Sequence, residues 1–389
     1  MEVAQEVPKR PLLTGQFVLL LFGTIAFGLS FATYFLLPKY LSVEFAADPI
    51  TIGGISAVAM LSSVIAVPFV GVQIDRHGRK LFGIVGALSF AVASAGFLWV
   101  DNVGSLMWIL RIIQGAAFSF FYISISTLAT DIAPIERLGQ AIGIFGSVMV
   151  STNAFGPALA EWVASNFGWT AVFAYTVVAA ILAAVIAAFI REEPREHHPR
   201  QTTSMRQVLK RPGIRRILLI AIMVGWSMGA LYTFYQPWAL SLGYKNVSGY
   251  LVSYAICAMI IRIALGGLAD RLGRLRIAKI TLFLYIAAPF SMVWLDVFGL
   301  YLTGGLLGIT HGLFFPALNA VAIDCALESE RGKGMAAYHG SFNIGFAAGS
   351  YFLGFVAMAT SFPVIFSISG ITCAAAFLLL CTVPKQTSS

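Results

Sequence analysis

Charge is what this chain has least of. Only 11% of its 389 residues are Asp, Glu, Lys or Arg, against 59% hydrophobic residues and a mean hydropathy of +0.86. Soluble domains carry about a quarter charged residues, so a single water-soluble core is excluded. Cysteine is nearly absent. Cys257, Cys325, Cys373 and Cys381 stand in or beside apolar stretches without C-x-x-C spacing, which argues against a disulfide framework or a metal site. The ten-residue alternation of a membrane barrel is missing as well. The start, MEVAQEVPKRPLL, lacks the form of a cleavable signal peptide, because the first apolar span is too long and no Ala-x-Ala-like site follows it. No nucleophile, acid and base cluster at one depth, so neither enzymatic chemistry nor a cofactor is expected.

What is present is a succession of long apolar runs, each of about 20 residues and able to cross roughly 30 Å of hydrocarbon. Twelve are predicted, at 15–38, 51–74, 81–100, 104–130, 138–165, 168–190, 214–240, 247–269, 277–296, 299–324, 332–357 and 361–384. They are continuous and rich in Leu, Ile, Phe, Ala and Gly, which makes the chain an all-α integral membrane protein. The one long polar interruption, Arg191 to Gly213, divides the spans six and six. The expected organisation is therefore a six-helix bundle over 1–190, a linker over 191–213 and a second bundle over 214–389. His197 and His198 in the linker lack Cys or acidic partners at ligand spacing and read as solvated.

Placement of the basic residues explains the net charge of +8. By these spans 21 of the 25 Lys and Arg lie in the N-terminal segment, alternate loops, the linker and the tail; Lys39 and Lys245 fall on the other side, and Arg111 and Arg262 within spans. This positive-inside pattern predicts cytoplasmic termini in an inner membrane. It removes the need for a nucleic-acid partner.

A motif occurs twice. Gly71, Asp75, Arg76, Gly78 and Arg79 recur as Gly266, Asp270, Arg271, Gly273 and Arg274 at a constant offset of 195 residues; Lys80 is matched by Leu275. Asp131, Glu136 and Arg137 recur similarly as Asp324, Glu330 and Arg331, at offsets of 193 and 194. The halves are thus repeats, of the kind that place a substrate site between them and alternate access by rocking. Gly71 would let a neighbouring helix approach closely, and Gly78 permits a tight turn. Asp75 at the membrane edge can accept from an Arg or from a helix N-terminus.

On these residues the chain resembles the major facilitator superfamily of secondary transporters, whose signature G-x-x-x-D-[RK]-x-G-[RK]-[RK] is matched fully by 71–80. Arg111-Ile-Ile-Gln114-Gly115 is similar to the R-x-x-Q-G motif of its drug/proton antiporters. Thr152 to Ala160, containing Gly156 and Pro157, is similar to their G-x-x-x-G-P-x-x-G, with Thr152 and Ala160 replacing two glycines. The resemblance implies two pseudo-symmetric six-helix bundles, a monomer, and a small-molecule substrate exchanged for protons across a lipid bilayer. It implies a gating latch at the doubled motif, proton coupling influenced by Arg111, and close helix packing at Gly156 and Pro157.

The polar groups inside the spans carry the remaining clues. Arg111 lies roughly 10 Å into its helix and should face the bundle interior. Arg262 is similar in spacing to the arginine that meets the carboxylate in monocarboxylate and oxalate carriers, but the first helix, FGTIAFGLSFATYF, lacks their Asp-Gly opening; anion binding and a structural pairing both stay open. His311, near the middle of the tenth span, is either a hydrogen-bonded core residue or a proton or substrate group. The first, second and seventh spans contain no mid-membrane acid. Glu161 is the one substitute, unless it is simply wet. A cavity with two arginines and almost no acid favours anionic, zwitterionic or neutral substrates over lipophilic cations. Gln114, Tyr34, Tyr122, Trp226, Tyr232, Tyr235, Gln236 and Asn343 are further candidates for contacts with an organic substrate. Proton-coupled efflux is the expected function, with uptake or exchange of an organic anion and a non-transporting sensor as alternatives.

Overall fold

The computed structural model describes residues 11–192, 205–265, 268, 272–325 and 331–383, with the side chain of Asp75 among the few excluded within that set. Asp270 and Arg271 lie outside the described residues, as does the side-chain role expected of Asp75. Every regular element described is helical.

The first half begins with α1 (Gly15–Thr33), which continues through one tight turn at Tyr34–Leu36 into α2 (Leu37–Phe45). Then come α3 (Pro49–His77), α4 (Arg79–Gly96), α5 (Ser105–Ile132) and α6 (Leu138–Phe189). Asp48 starts α3 by accepting from the Thr51 backbone N–H at 3.0 Å and its hydroxyl at 2.7 Å, with Pro49 in the first turn. At 52 residues α6 would be far too long for one crossing. Gly168, with φ 80° and ψ 171°, breaks it into two spans. That backbone conformation is open essentially to glycine alone.

The second half contains a short α7 (Met205–Leu209), then α8 (Pro212–Ser241), α9 (Gly249–Leu265), α10 (Arg274–Tyr285), α11 (Ala287–Ser291), α12 (Val297–Asp324), α13 (Arg331–Ala359) and α14 (Phe362–Cys381). Ten described helices are long and apolar enough to cross a membrane, and α9 is a shorter apolar one. With α6 counted as two spans, this is the expected twelve-span organisation.

Helix packing repeats between halves. In the first, α1 packs on α6, α4 on α5, and α3 on α5; in the second, α8 packs on α13, α10 on α12, and α9 on α12. The turns repeat too: Gly78 has φ 92° and Gly273 φ 94°. Small residues set the helix distances, as van der Waals packing is the main attraction between helices in lipid. A Cβ on Gly156 would come within 2.7 Å of the Ala32 Cβ on α1. Thr152, where the motif would have glycine, instead fills the space over Gly28. Gly304, Gly308 and Gly312 lie against α9 at Tyr250, Tyr254 and Ala258.

Between the halves, contact falls chiefly on α3 with α13 and α6 with α9. The face bearing Arg79, Arg191 and Arg274 is called the basic face below. At the opposite face α3 and α13 touch: a Cβ on Gly354 would lie 2.6 Å from the Pro49 carbonyl, and one on Gly53 would overlap that of Ser350. Gly71 lies 18 residues beyond Gly53, on the same side of α3. No described atom lies within 4 Å of a Cβ built there, nor at Gly340 on α13. The close approach expected at Gly71 is therefore absent in this conformation. Among the described residues the two helices touch near Gly53 and Gly354 and leave open space at Gly71 and Gly340.

Candidate functional site

Two lysines and one acid close the opposite face. Glu161, near the outer end of the first span of α6, is 5% exposed and not simply solvated as one reading allowed. Its carboxylate accepts from Lys39 Nζ at 2.6 Å, from the backbone N–H groups of Val247 at 2.8 Å and Ser248 at 2.9 Å, and from the Ser248 hydroxyl. Val247 and Ser248 immediately precede α9, so an acid of one half caps a helix of the other. Lys39 Nζ also donates to the Lys245 carbonyl, and its backbone N–H donates to Gln236 Oε1 at 2.9 Å. The Gln236 amide donates in turn to the Phe35 carbonyl. This clamp was not read from the sequence, although the isolated positions of Lys39, Lys245 and Glu161 were.

At the basic face the described ion pairs of the motif arginines stay inside their own halves. Arg79 Nε lies 2.9 Å from Asp131 Oδ2, and Arg274 Nη1 lies 2.6 Å from Asp324 Oδ1. Glu192 accepts from the backbone N–H groups of Arg79 at 2.7 Å and Lys80 at 3.0 Å, capping α4. The loss of a base at Leu275 leaves the Arg274 pair intact. Arg76 is exposed.

Directly beneath the clamp lies a cavity with about 560 Å³ of empty space, part of it open to solvent. Its first-half wall comprises Phe31, Tyr34, Phe35 and Pro38 with Ser56, Met60 and Ser63 of α3 and Arg111, Gln114 and Phe118 of α5; its second-half wall comprises Tyr232, Thr233 and Phe346. Arg111 is 8% exposed. Its Nη1 donates to Gln114 Oε1 at 2.8 Å and its Nε to the Ile55 carbonyl at 3.4 Å, while the guanidinium carbon sits 5.7 Å from the Tyr34 ring centre. Gln114 Nε2 reaches Ser94 Oγ at 3.4 Å. The Tyr34 hydroxyl is buried beside Ser94, Thr176 and Gln114 and has no hydrogen-bond partner. Ser63 and Thr233 are bonded to Ser119 and Ser350 respectively.

The other candidate residues lie elsewhere. Tyr235 is not on the cavity wall as expected; fully buried, it stacks on Tyr250 with ring centres 4.3 Å apart. Arg262 Nε donates to the Gly312 carbonyl at 3.2 Å, a structural bond between α9 and α12. His311 is buried against Phe315 and Phe342, with Nδ1 3.0 Å from the Tyr254 hydroxyl and Nε2 without a partner. Tyr254 packs edge-on against Tyr232, so the histidine is two rings removed from the cavity. Trp226 stacks on Phe352, and Tyr122 is partly exposed beside Phe118. Among the described residues no cluster of His, Cys, Asp and Glu offers a metal site.

Comparison with known proteins agrees with this architecture. A family profile described as Major Facilitator Superfamily matches residues 18–305 and 296–389. "Multidrug resistance protein MdtG" of Yersinia enterocolitica is 27% identical over 334 residues, covering 82% of this chain and 80% of that protein. "Multidrug resistance protein 2" of Bacillus subtilis is 25% identical over 286 residues, covering 69% and 71%. Among solved structures, a mutant of the nucleoside transporter NupG superposes with a TM-score of 0.81 at 13% identity, over 95% of this chain and 100% of that one.

Proposed function

The chain belongs to the major facilitator superfamily, and from that premise we propose that it exports a small organic molecule in exchange for protons by alternating access. It is a multi-pass membrane transporter and not an enzyme. The observation that carries the reading is the asymmetry between faces: halves clamped through Glu161 at one end, open space at Gly71 and Gly340 toward the other, and a cavity between them. With the basic face in the cytoplasm, as the charge bias suggests, this is the conformation that admits cargo from inside. The printed names of the two relatives, both multidrug resistance proteins, support the outward direction.

In this reading 1–190 and 214–389 move as two bodies, the clamp opens to release cargo, and the doubled motif closes the basic face in turn. Arg111, Gln114 and Tyr34 meet the cargo. His311, Tyr254 and Arg262 lie deeper in the second half, where a buried imidazole nitrogen without a partner suits proton exchange. Counterflow in proteoliposomes, with and without an imposed pH gradient, tests the coupling. A gradient, acid on the clamp side, should drive cargo toward that side; transport indifferent to it rejects proton antiport. Exchange stimulated only by cargo on the far side would support the second reading, exchange of an organic anion, which the uncompensated Arg111 favours.

A further inference from the structure

The inference concerns what the cavity holds, and it rests on the transporter reading above. Desolvation makes a buried charge costly unless an opposite charge or hydrogen bonds replace its water. Arg111 is buried, yet both of its hydrogen-bond partners, Gln114 and the Ile55 carbonyl, are neutral, and its other neighbour is an aromatic ring. No carboxylate lines the cavity. Glu161 is the one buried acid among the described residues, and its two oxygens are committed to Lys39, Val247 and Ser248 at the clamp. The positive charge at Arg111 therefore has no counter-charge among the described residues.

The Tyr34 ring lines the same cavity 5.7 Å from the guanidinium carbon, while its hydroxyl is buried beside Ser94, Thr176 and Gln114. A planar anion answers the missing charge, because a guanidinium fork matches a carboxylate in geometry. The remaining wall is aromatic. Phe31 and Phe118 stack with centres 4.1 Å apart, and across the divide stand Tyr232 and Phe346.

We propose that the cargo is an aromatic organic anion, its carboxylate or an equivalent acidic group held by Arg111 and its ring seated among Phe31, Phe118, Tyr232 and Phe346. The charge is then read by the first half alone, while the ring touches both. Lipophilic cations are excluded by the same unpaired guanidinium.

Three probes of one shape test this on the full chain in nanodiscs: 2-naphthoate, 2-naphthamide and 2-naphthyltrimethylammonium. Binding is followed by tryptophan quenching and by the thermal shift that a ligand of the folded state produces. The expected result is that the carboxylate binds at least tenfold tighter than the amide and that the ammonium does not compete. Arg111→Gln should abolish the difference between carboxylate and amide. Arg111→Lys, which keeps the charge and loses the fork, should weaken the carboxylate several-fold and leave the amide unchanged, and it serves if Arg111→Gln does not fold. Equal affinity for carboxylate and amide, preference for the ammonium, or no carboxylate binding at millimolar concentration overturns the proposal. Counterflow separates the two readings: exchange of the ammonium leaves the transporter standing and removes the anion, whereas carboxylate that binds yet never exchanges removes the transporter.

Discussion

Glu161 serves as both counter-ion and helix cap, so one carboxylate ties Lys39 of its own half to the start of α9 in the other. Replacing it with Gln keeps one acceptor oxygen but removes the charge that Lys39 and the start of α9 share. A charge-assisted bond of this kind contributes about 2 kcal/mol, equivalent to a roughly 30-fold change in the ratio of closed to open clamp. Spin labels at Glu44, in the last turn of α2, and Asn246, in the loop before α9, should show a longer distance in Glu161→Gln than in the parent. An unchanged distribution would mean that apolar packing between α3 and α13 is what closes this face. The burial of Arg111 was legible from the sequence because a charge in an apolar run has few places to go. The partners of Glu161 were not, since they lie 122 and 86 residues away and two of them are backbone N–H groups, which leave no trace in side-chain pattern. Tyr235 misled for a related reason: an aromatic side chain within a span packs equally well into a neighbour or a cavity, and here Tyr250 took it.

At the scale of elements, the spans were legible and their junctions less so. Runs of apolar residues mark a crossing, but nothing in a hydropathy pattern shows that α1 continues through a tight turn into α2, or that α6 turns at Gly168 with no intervening loop. The motif turns give a graded prediction. Gly78 and Gly273 share a positive φ, so Ala at either is strained by roughly 1–3 kcal/mol. At Gly78 the added Cβ also falls 2.9 Å from Glu192 Oε2, while at Gly273 it meets no described atom within 4 Å. Gly78→Ala should therefore lower the melting temperature more than Gly273→Ala; equal losses would show that Glu192 yields freely. Gly71 invites a different experiment. Its Cβ site is empty in this conformation, so Gly71→Val should leave stability unchanged, yet it should slow exchange if α3 and α13 approach there when the basic face closes. Undiminished exchange would place that approach elsewhere along the helix.

For the whole molecule, the repeat in sequence becomes a repeat in mechanics. Arg79 with Asp131 and Arg274 with Asp324 stiffen equivalent corners of the two halves, and the interface runs through equivalent pairs, α3 with α13 and α6 with α9. Packed interfaces are bistable, so in the proposed alternating access closing one face and opening the other would be a single event. A disulfide between Cys residues introduced at Lys39 and Lys245 should hold the clamp shut. Such a protein should still bind cargo presented at the basic face and should lose counterflow until reduced. Retained counterflow in the oxidised protein would refute rocking of the halves.

The same two lysines lie differently toward water. Lys245 is exposed, while the side chain of Lys39, held by Glu161, is only 12% accessible. An amine-reactive reagent that cannot cross the bilayer would acylate Lys245 at a steady rate and Lys39 only during the moments when the clamp is apart. The ratio of the two modified peptides, read by mass spectrometry, is then a clock of opening written into the unaltered chain, and adding cargo or changing pH on either side should advance or retard it.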